Sequence, residues 1–234
     1  MSRVEAQFGE IYIVSDGMGG HRGGGTAAAL TIEILGEMLS AIPLVSEASN
    51  SIKAAFEEAN RVVYEKGHSD DEQTQNMGAT AVVLLIGRAE AIVAHVGDSR
   101  AYLFTDGKLR RLTKDHSRVQ RMVDAGILTD VEASSHPAAG LLERAIGVVP
   151  NVEVDVSPTF ELKGGELFLL CSDGLHGYVS DSEITNILNR GIPVQAMVDE
   201  LIDAALEQGG EDNITVQLVG NGDTSWSDWT PIAG

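Results

Sequence analysis

The segment IYIVSDG (residues 11–17) carries a short run of β-branched and aromatic residues into an aspartate followed by glycine. The same arrangement recurs as IVAHVGDS (92–99) and as LFLLCSDG (167–174). A fourth aspartate, in GGEDNITVQLV (209–219), lies shortly before another apolar run. Runs of this composition predict β-strands. Each aspartate is therefore expected at the end of a strand, beside a residue small enough for close backbone approach.

The remaining pattern predicts mostly strands in consecutive runs and helices in pairs. Strands are predicted for residues 11–14, 79–86, 91–96, 101–104, 109–112, 152–162, 167–171 and 214–219. The pair Asp106-Gly107 predicts a hairpin turn, and residues 163–165 predict a second turn. Consecutive strands without alternating helices favour an antiparallel sheet arrangement. We therefore predict an α+β fold, an antiparallel β-sandwich of two sheets flanked by helix pairs in αββα layers.

Helical periodicity predicts three longer helices, each with one apolar face. The predicted faces are Ala27, Leu30, Ile34 and Met38; Ile52, Ala55, Phe56, Ala59 and Val63 within a helix at 51–66; and Met197, Val198, Leu201 and Ala205 in a helix after Pro193. A Ser or Thr followed three residues later by Glu predicts capping boxes at Thr129 and Ser180.

Composition excludes several classes of function. Aspartate and glutamate number 35 against 16 lysines and arginines, which gives a net charge of −19. This charge repels nucleic acids and anionic membranes, so neither is expected as a partner. The single cysteine, Cys171, excludes an internal disulfide and a thiolate zinc cluster. Apolar runs fall well short of the ~18 residues of a membrane span, and no signal peptide is apparent. A soluble cytoplasmic protein is expected.

The four strand-end aspartates are Asp16, Asp98, Asp173 and Asp212. One aspartate at a strand end is ordinary turn chemistry. If the strands lie side by side, however, four carboxylates meet, and they cannot all stay ionised without a compensating cation. Oxygen ligands favour magnesium or manganese over zinc or copper. The pattern thus predicts a multinuclear site for a hard divalent metal, which suits attack of an activated water on phosphorus.

The glycine-rich stretch Gly23–Ala28 also matches a loose dinucleotide-binding fingerprint. It belongs to no βαβ unit and lacks the Lys-Ser/Thr pair of a phosphate-binding P-loop. The better interpretation is that small residues let a helix pack closely on a sheet.

Six segments, taken in chain order, resemble the motifs of bacterial metal-dependent type 2C protein serine/threonine phosphatases. They are SDGMGGH (15–21), GATA (78–81), VGDSR (96–100), LTKDHS (112–117), SDGL (172–175) and EDNIT (211–215). The resemblance implies one catalytic domain over residues 1–219, with a flap subdomain at about 115–144 and a polar tail or linker at 220–234. It further implies hydrolysis of phosphoserine and phosphothreonine by attack of a metal-activated water.

The resemblance also implies residue roles and cofactors. Asp16 would bridge two ions, with the Gly17 carbonyl as a further ligand, and Asp173 and Asp212 would complete the first ion's shell. Asp98, together with Asp173, would serve a third ion. The implied cofactors are Mn²⁺ or Mg²⁺, two ions with a third in some members.

Histidines and arginines near the motifs could act in catalysis or serve only the structure. His21 is a tentative catalytic proton donor, with metal-bound water or a role in loop structure as alternatives. The other histidines show no metal-ligand spacing, and His95 is expected to be a satisfied core residue. Arg22 and Arg144 are expected to form surface salt bridges.

Such phosphatases normally open with a strand, a phosphate-binding arginine and an Asn-Glu-Asp type motif. Only ten residues precede Ile11 and none matches, so the chain is expected to lack this N-terminal segment and to bind its second ion weakly. Two functions stay open: an active phosphatase, or a catalytically impaired phosphatase-like binding or regulatory module. The four retained aspartates favour the first. Its expected partner is a phosphoprotein, such as a serine/threonine kinase or its targets, and an anti-sigma-factor antagonist is a narrower alternative.

Overall fold

The computed structural model describes residues 1–19 and 23–221. The strands in this part of the chain are β1 (Ser2–Ala6), β2 (Gly9–Val14), β3 (Gly17–Met18), β4 (Gly78–Ala79), β5 (Ala81–Ile86), β6 (Glu90–Val96), β7 (Arg100–Thr105), β8 (Lys108–Arg111), β9 (Asp155–Val156), β10 (Phe160–Glu161), β11 (Glu166–Cys171) and β12 (Val216–Asn221). The helices are α1 (Gly23–Ser40), α2 (Ala48–Gly67), α3 (Arg118–Asp124), α4 (Asp130–Ser134), α5 (Asp173–His176), α6 (Asp181–Leu188) and α7 (Val194–Glu207), with a 3-10 turn at Val45–Glu47.

Two antiparallel sheets form the centre of the molecule. The first has the order β1-β2-β5-β6-β10, with β9 also paired to β6, and the second has the order β12-β11-β7-β8. A third, two-stranded sheet joins β3 to β4. Every described pairing is antiparallel, which confirms the predicted α+β sandwich.

The layers follow from strands that are buried on both faces. In β2, Ile11 and Ile13 pack toward α1 and α2, whereas Tyr12 and Val14 pack between the sheets. The second sheet likewise turns Leu167, Leu169 and their neighbours toward α5, α6 and α7. Alternate residues of a strand point to opposite faces, so the continuous apolar runs supply two cores at once. The result is the predicted order of helices, sheet, sheet and helices.

The first helix confirms only part of its predicted face, since Ala27 is buried and Leu30 and Ile34 are partly buried against the core. Its buried positions include Ala27, Thr31, Leu35 and Leu39, while the predicted Met38 is 37% exposed. The true face therefore includes a threonine that an apolar pattern overlooks. The predicted faces of α2 and α7 are correct, apart from Val198, which is only partly buried.

Three strand predictions were wrong in detail. Residues 152–162 form two short strands, β9 and β10, because Pro158 lies between them and cannot donate to a ladder. β1 was missed because its exposed positions are polar and only Val4 and Ala6 reach the core. β12 runs from Val216 to Asn221 rather than from 214 to 219, so it reaches into the predicted tail. Residues 222–234 lie outside the described part of the chain.

The predicted turn and helix starts are confirmed. Asp106 and Gly107 have φ values of 51° and 72°, the left-handed pair that a tight hairpin between β7 and β8 requires. Thr129 and Ser180 each form a capping box, with Glu132 and Glu183 respectively.

No single helix among residues 1–19 and 23–221 is long and apolar enough to cross a membrane. The segments Gly23–Ser40 and Val45–Gly67 meet the length and composition test only when taken together, across a bend of 113°.

The glycines at the start of α1 let it approach β3 very closely. A Cβ atom at Gly24 would lie 2.7 Å from the Gly17 carbonyl oxygen, and one at Gly17 would overlap the Gly24 carbonyl. A Cβ at the neighbouring Gly25 meets nothing within 4 Å. The glycine-rich stretch thus serves close packing of helix on strand, as the alternative interpretation predicted.

We expect Gly24→Ala to lower the free energy of unfolding by about 1–3 kcal/mol, because the added methyl overlaps backbone that cannot move freely. Gly25→Ala is the matched control and should leave stability unchanged or raise it by up to about 1 kcal/mol, since alanine is the better helix former. Denaturant unfolding of both variants measures the difference. Equal midpoints would contradict the packing argument.

Candidate metal centre

Asp16 is fixed by hydrogen bonds to Thr80 from the neighbouring strand. The Thr80 backbone N–H donates to the Asp16 carbonyl oxygen at 2.8 Å, and Thr80 Oγ1 accepts from the Asp16 N–H at 3.1 Å. Ser15 Oγ donates to the Thr80 carbonyl oxygen at 2.6 Å. Thr80 Oγ1 also lies 2.6 Å from Ser99 Oγ. One threonine therefore links the Asp16 loop to the residue that follows Asp98.

Asp98 lies in the loop between β6 and β7, where the chain passes from the first sheet to the second. Its side chain is buried, with a residue exposure of 8%. His176 Nε2, from α5, bonds the Asp98 carbonyl oxygen at 2.9 Å. The preceding Gly97 has φ +102°, and a Cβ there would lie 2.6 Å from Thr80 Cγ2. Only glycine fits this position, so the local backbone is closely specified.

Asp173 and Asp212 are held together by Ser172. The Ser172 hydroxyl donates to the Asn213 carbonyl oxygen at 3.1 Å and accepts from the Thr215 N–H at 3.1 Å. These bonds join the loop after β11 to the loop before β12. The two aspartates come from adjacent ends of neighbouring strands as a consequence.

The four aspartates lie close enough to affect one another's ionisation. Burial raises the pKa of Asp16 to about 6, and the charges of Asp173 and Asp212 add to the rise. Burial likewise raises the pKa of Asp98 to about 7, with further contributions from Asp173 and Asp115. The pKa of Asp173 is also raised, by burial and then by Asp212. The structure thus brings all four predicted aspartates to one end of the sandwich.

The donor set fits a hard divalent cation. Asp173 Oδ1 is buried and has no hydrogen-bond partner among the described residues, although buried acceptors are nearly always satisfied. A cation would supply the missing partner and offset the burial and the mutual repulsion that raise the pKa values. Among residues 1–19 and 23–221, no three of the aspartates bring oxygens within 4.8 Å of one another. Their side chains must therefore close in to share an ion.

One tighter group does occur, and it includes two of the other histidines. His95, His116 and Asp155 place one ligand atom each within 4.8 Å of one another. Their spacing in the sequence gave no sign of this, because they come from β6, the loop after β8, and β9. The two imidazoles stack with centroids 4.5 Å apart, and His95 Nε2 bonds the Lys114 carbonyl oxygen at 2.8 Å. His95 is buried and hydrogen-bonded, as predicted.

A cleft of about 760 Å³ opens beside the aspartates. Its lining includes Asp98, Asp173 and Asp212 together with residues of α3 and α4. The predicted flap, residues 115–144, therefore lies next to the candidate site. Arg100 also lines the cleft, but Asp115 binds it at two oxygens, with the shorter distance 2.6 Å. Its charge is already compensated inside the protein.

Of the other residues singled out in the sequence, His21 and Arg22 lie outside the described part of the chain, and Gly17 and Arg144 lie within it. Gly17 lies in β3, where it pairs with Ala79. Arg144 forms the expected salt bridges, 3.0 Å to Glu153 and 2.9 Å to Asp155. Thr80 and His116 lie in the motifs GATA and LTKDHS. The sequence assigns neither residue a role, because their hydrogen-bond partners are distant in the chain.

Comparison with known proteins agrees with this arrangement. The family model described as protein phosphatase 2C matches residues 2–218. The chain belongs to the protein phosphatase 2C family. The serine/threonine phosphatase stp of Listeria welshimeri is 36% identical to this family member over 214 residues, covering 89% of this chain and 83% of the relative.

Solved structures of other protein phosphatase 2C relatives have the same fold. The S. agalactiae serine/threonine phosphatase superimposes with a TM-score of 0.85 at 36% identity, covering 93% of this chain and 90% of that one. The catalytic domain of the serine threonine protein phosphatase PstP, in complex with two manganese ions, gives a TM-score of 0.80 at 33% identity. That match covers 94% of this chain and 90% of PstP's.

The raised pKa values predict that the metal-free protein is destabilised by its own aspartates near neutral pH. A raised carboxyl pKa means that the folded state binds more protons, so its stability falls as pH rises through the window between 3.8 and about 7 for Asp98. We expect Asp98→Asn to melt at a higher temperature than the wild type at pH 7.5 in chelator, and at nearly the same temperature near pH 4.

Thermal melts of both proteins across this pH range measure the effect. Asp199→Asn is the matched control, because Asp199 is an exposed carboxylate on α7 and its replacement should leave the melting temperature unchanged. A constant difference between Asp98→Asn and the wild type at every pH would show that Asp98 carries no repulsive charge.

Proposed function

We propose that this chain is a metal-dependent protein serine/threonine phosphatase that hydrolyses phosphoserine and phosphothreonine in phosphoprotein substrates. The observation that carries the proposal is the convergence of four aspartates, one with an orphaned buried oxygen, beside an open cleft. Membership of the protein phosphatase 2C family supports the reaction class, as do the names of the relatives.

The resemblance to type 2C phosphatases supports a role for each aspartate. Asp16, the Gly17 carbonyl, Asp173 and Asp212 would hold the divalent cations, and Asp98 with Asp173 would hold a further ion. Bound Mn²⁺ or Mg²⁺ would lower the pKa of a water molecule and neutralise charge on the phosphoryl oxygens. The manganese in the PstP structure supports this choice of metal.

The chain's own residues keep these carboxylates in place. Thr80 and Ser172 fix the backbone beside Asp16 and Asp173, so only the carboxylate side chains have to adjust when an ion binds. Preorganised charge of this kind contributes most where water is excluded. Asp98 meets that condition with its residue exposure of 8%.

Protonation of the leaving serine or threonine oxygen is assigned to His21, which lies outside the described residues. His176 lines the cleft, but burial, followed by the charge of Arg100, lowers its pKa to about 3. Its Nε2 is also engaged with the Asp98 carbonyl oxygen. His176 therefore holds the Asp98 loop and is a poor proton donor.

The proposed partner and location rest on the reaction class and the composition of the chain and do not depend on the geometry of the site. We propose a serine/threonine kinase or its phosphorylated targets as substrates, since such a phosphatase reverses kinase signalling. A cytoplasmic location is in keeping with one buried cysteine and no disulfide.

We expect the protein to hydrolyse p-nitrophenyl phosphate and a phosphothreonine peptide in the presence of manganese. Asp173→Ala should lower kcat/KM at least about 100-fold, because even outer partners of metal ligands are worth roughly 10–100-fold. Asp199→Ala, on the outer surface of α7, should keep wild-type activity.

Both assays need a metal-free control in chelator. Manganese-independent turnover would contradict the proposed mechanism. Absence of turnover by a folded, manganese-binding wild type would favour the alternative of a phosphatase-like binding module.

A further inference from the structure

His116 contacts Gly97, the residue immediately before Asp98, twice. Its backbone N–H donates to the Gly97 carbonyl oxygen at 3.0 Å, and its ring Nδ1 accepts from the Gly97 N–H at 3.2 Å. Both polar groups of Gly97 are therefore held by one residue. The imidazole is buried, with a residue exposure of 8%, so this contact is shielded from competing water.

The Gly97 bond requires one particular tautomer of His116. A nitrogen that accepts must carry the lone pair, so in the neutral ring the proton resides on Nε2. Nε2 lies 3.3 Å from Asp155 Oδ2 and can donate to that carboxylate. Burial lowers the pKa of His116, which keeps the ring neutral at pH 7. The carboxylate thus selects the tautomer that the Gly97 bond needs, as it does for other functional histidines.

The same hydrogen bonds argue against a metal ion at the His95, His116 and Asp155 group. An ion at His116 Nε2 would need the lone pair there and would force the proton onto Nδ1, against the Gly97 N–H. Arg144 Nη1 also occupies this space: it donates to Asp155 Oδ1 at 2.9 Å, and its longer approach to His116 Nε2, 3.4 Å, would be a hydrogen bond only in the other tautomer. A positive charge already neutralises the carboxylate.

His116 also joins the two ends of the flap. Its carbonyl oxygen accepts from the Glu143 N–H at 2.7 Å, and the neighbouring Arg118 N–H donates to the Leu141 carbonyl oxygen at 2.9 Å. The base of the flap and the Asp98 loop therefore meet at this one residue. A shift of His116 would move both.

We propose that His116 is a positioning residue for Asp98: the bond from the Gly97 N–H to its Nδ1 fixes Gly97, the residue that leads into Asp98, and Asp155 maintains the tautomer. Gly97 has φ +102° and room for no side chain. It therefore has no side chain of its own to fix its position, and its backbone groups must be held by neighbours such as His116. His176 fixes the Asp98 carbonyl from the other side. The proposal rests on the proposed function in one respect, the role of Asp98 as a metal ligand.

Two variants of His116 separate its two nitrogens. Asparagine places an amide oxygen near the position of Nδ1, whereas glutamine places its amide near Nε2. We expect H116N to bind manganese within about twofold of wild type, because the acceptor for Gly97 is retained. H116Q should weaken the site that uses Asp98 by roughly tenfold, as expected for losing an outer partner of a ligand. Free Mn²⁺, measured by electron paramagnetic resonance, gives the affinity and the number of ions bound.

A second readout does not involve metal. The Gly97 amide resonance of the metal-free protein should stay near its wild-type position in H116N and move in H116Q. Equal manganese affinity and equal Gly97 shifts in the two variants would overturn the proposal. A wild type that binds manganese but hydrolyses nothing would contradict only the proposed function, because manganese affinity and the Gly97 shift do not depend on turnover.

Asp155→Ala tests whether Asp155 maintains the His116 tautomer, and it remains a test of the proposal if H116Q does not fold. We expect the imidazole nitrogen resonances of His116 to show mixed tautomers and manganese binding to weaken about threefold to tenfold. Glu153→Ala is the matched control, since Glu153 pairs with Arg144 and makes no described contact with His116. Identical behaviour of these two variants would overturn the role of Asp155.

Discussion

Burial of carboxylates that also repel one another is the constraint on which the rest of this structure depends. Burial and mutual charge raise the pKa values of Asp16 and Asp98 to about 6 and 7, so holding them together costs stability that the fold must offset. The two sheets, packed on helices outside and on each other inside, provide that stability through three apolar cores. A divalent cation removes the repulsion, and the site is therefore built to bind one.

The loops that carry the carboxylates form one connected unit. Thr80 links the Asp16 loop to Ser99, His176 links Asp98 to α5, and Ser172 links α5 to the loop that holds Asp212. The bonds of Thr80 and His176 reach the Asp98 loop, where the chain passes from the first sheet to the second, and those of Ser172 lie within the second sheet. His116 extends the same network to the base of the flap.

Much of the fold and of the candidate site follows from the sequence because strands buried on both faces are continuous apolar runs. Three aspartates end such runs and a fourth lies shortly before one, and together they predicted the convergence. β1 was not predicted because three of its five residues are polar, and the face of α1 was predicted only in part because Thr31 lies within it. The contacts of His116 with Gly97 and Asp155 could not be predicted, since they join residues whose proximity only the folded chain creates.

The proposed function requires Asp16, Asp173 and Asp212 to share divalent cations at the end of the sandwich. Anomalous diffraction at the manganese edge, from crystals grown with Mn²⁺, shows whether they do. We expect strong peaks within coordination distance of these three carboxylates and none at His95, His116 and Asp155. Absence of peaks at the aspartates, or a peak at the histidine pair instead, would contradict the proposed function.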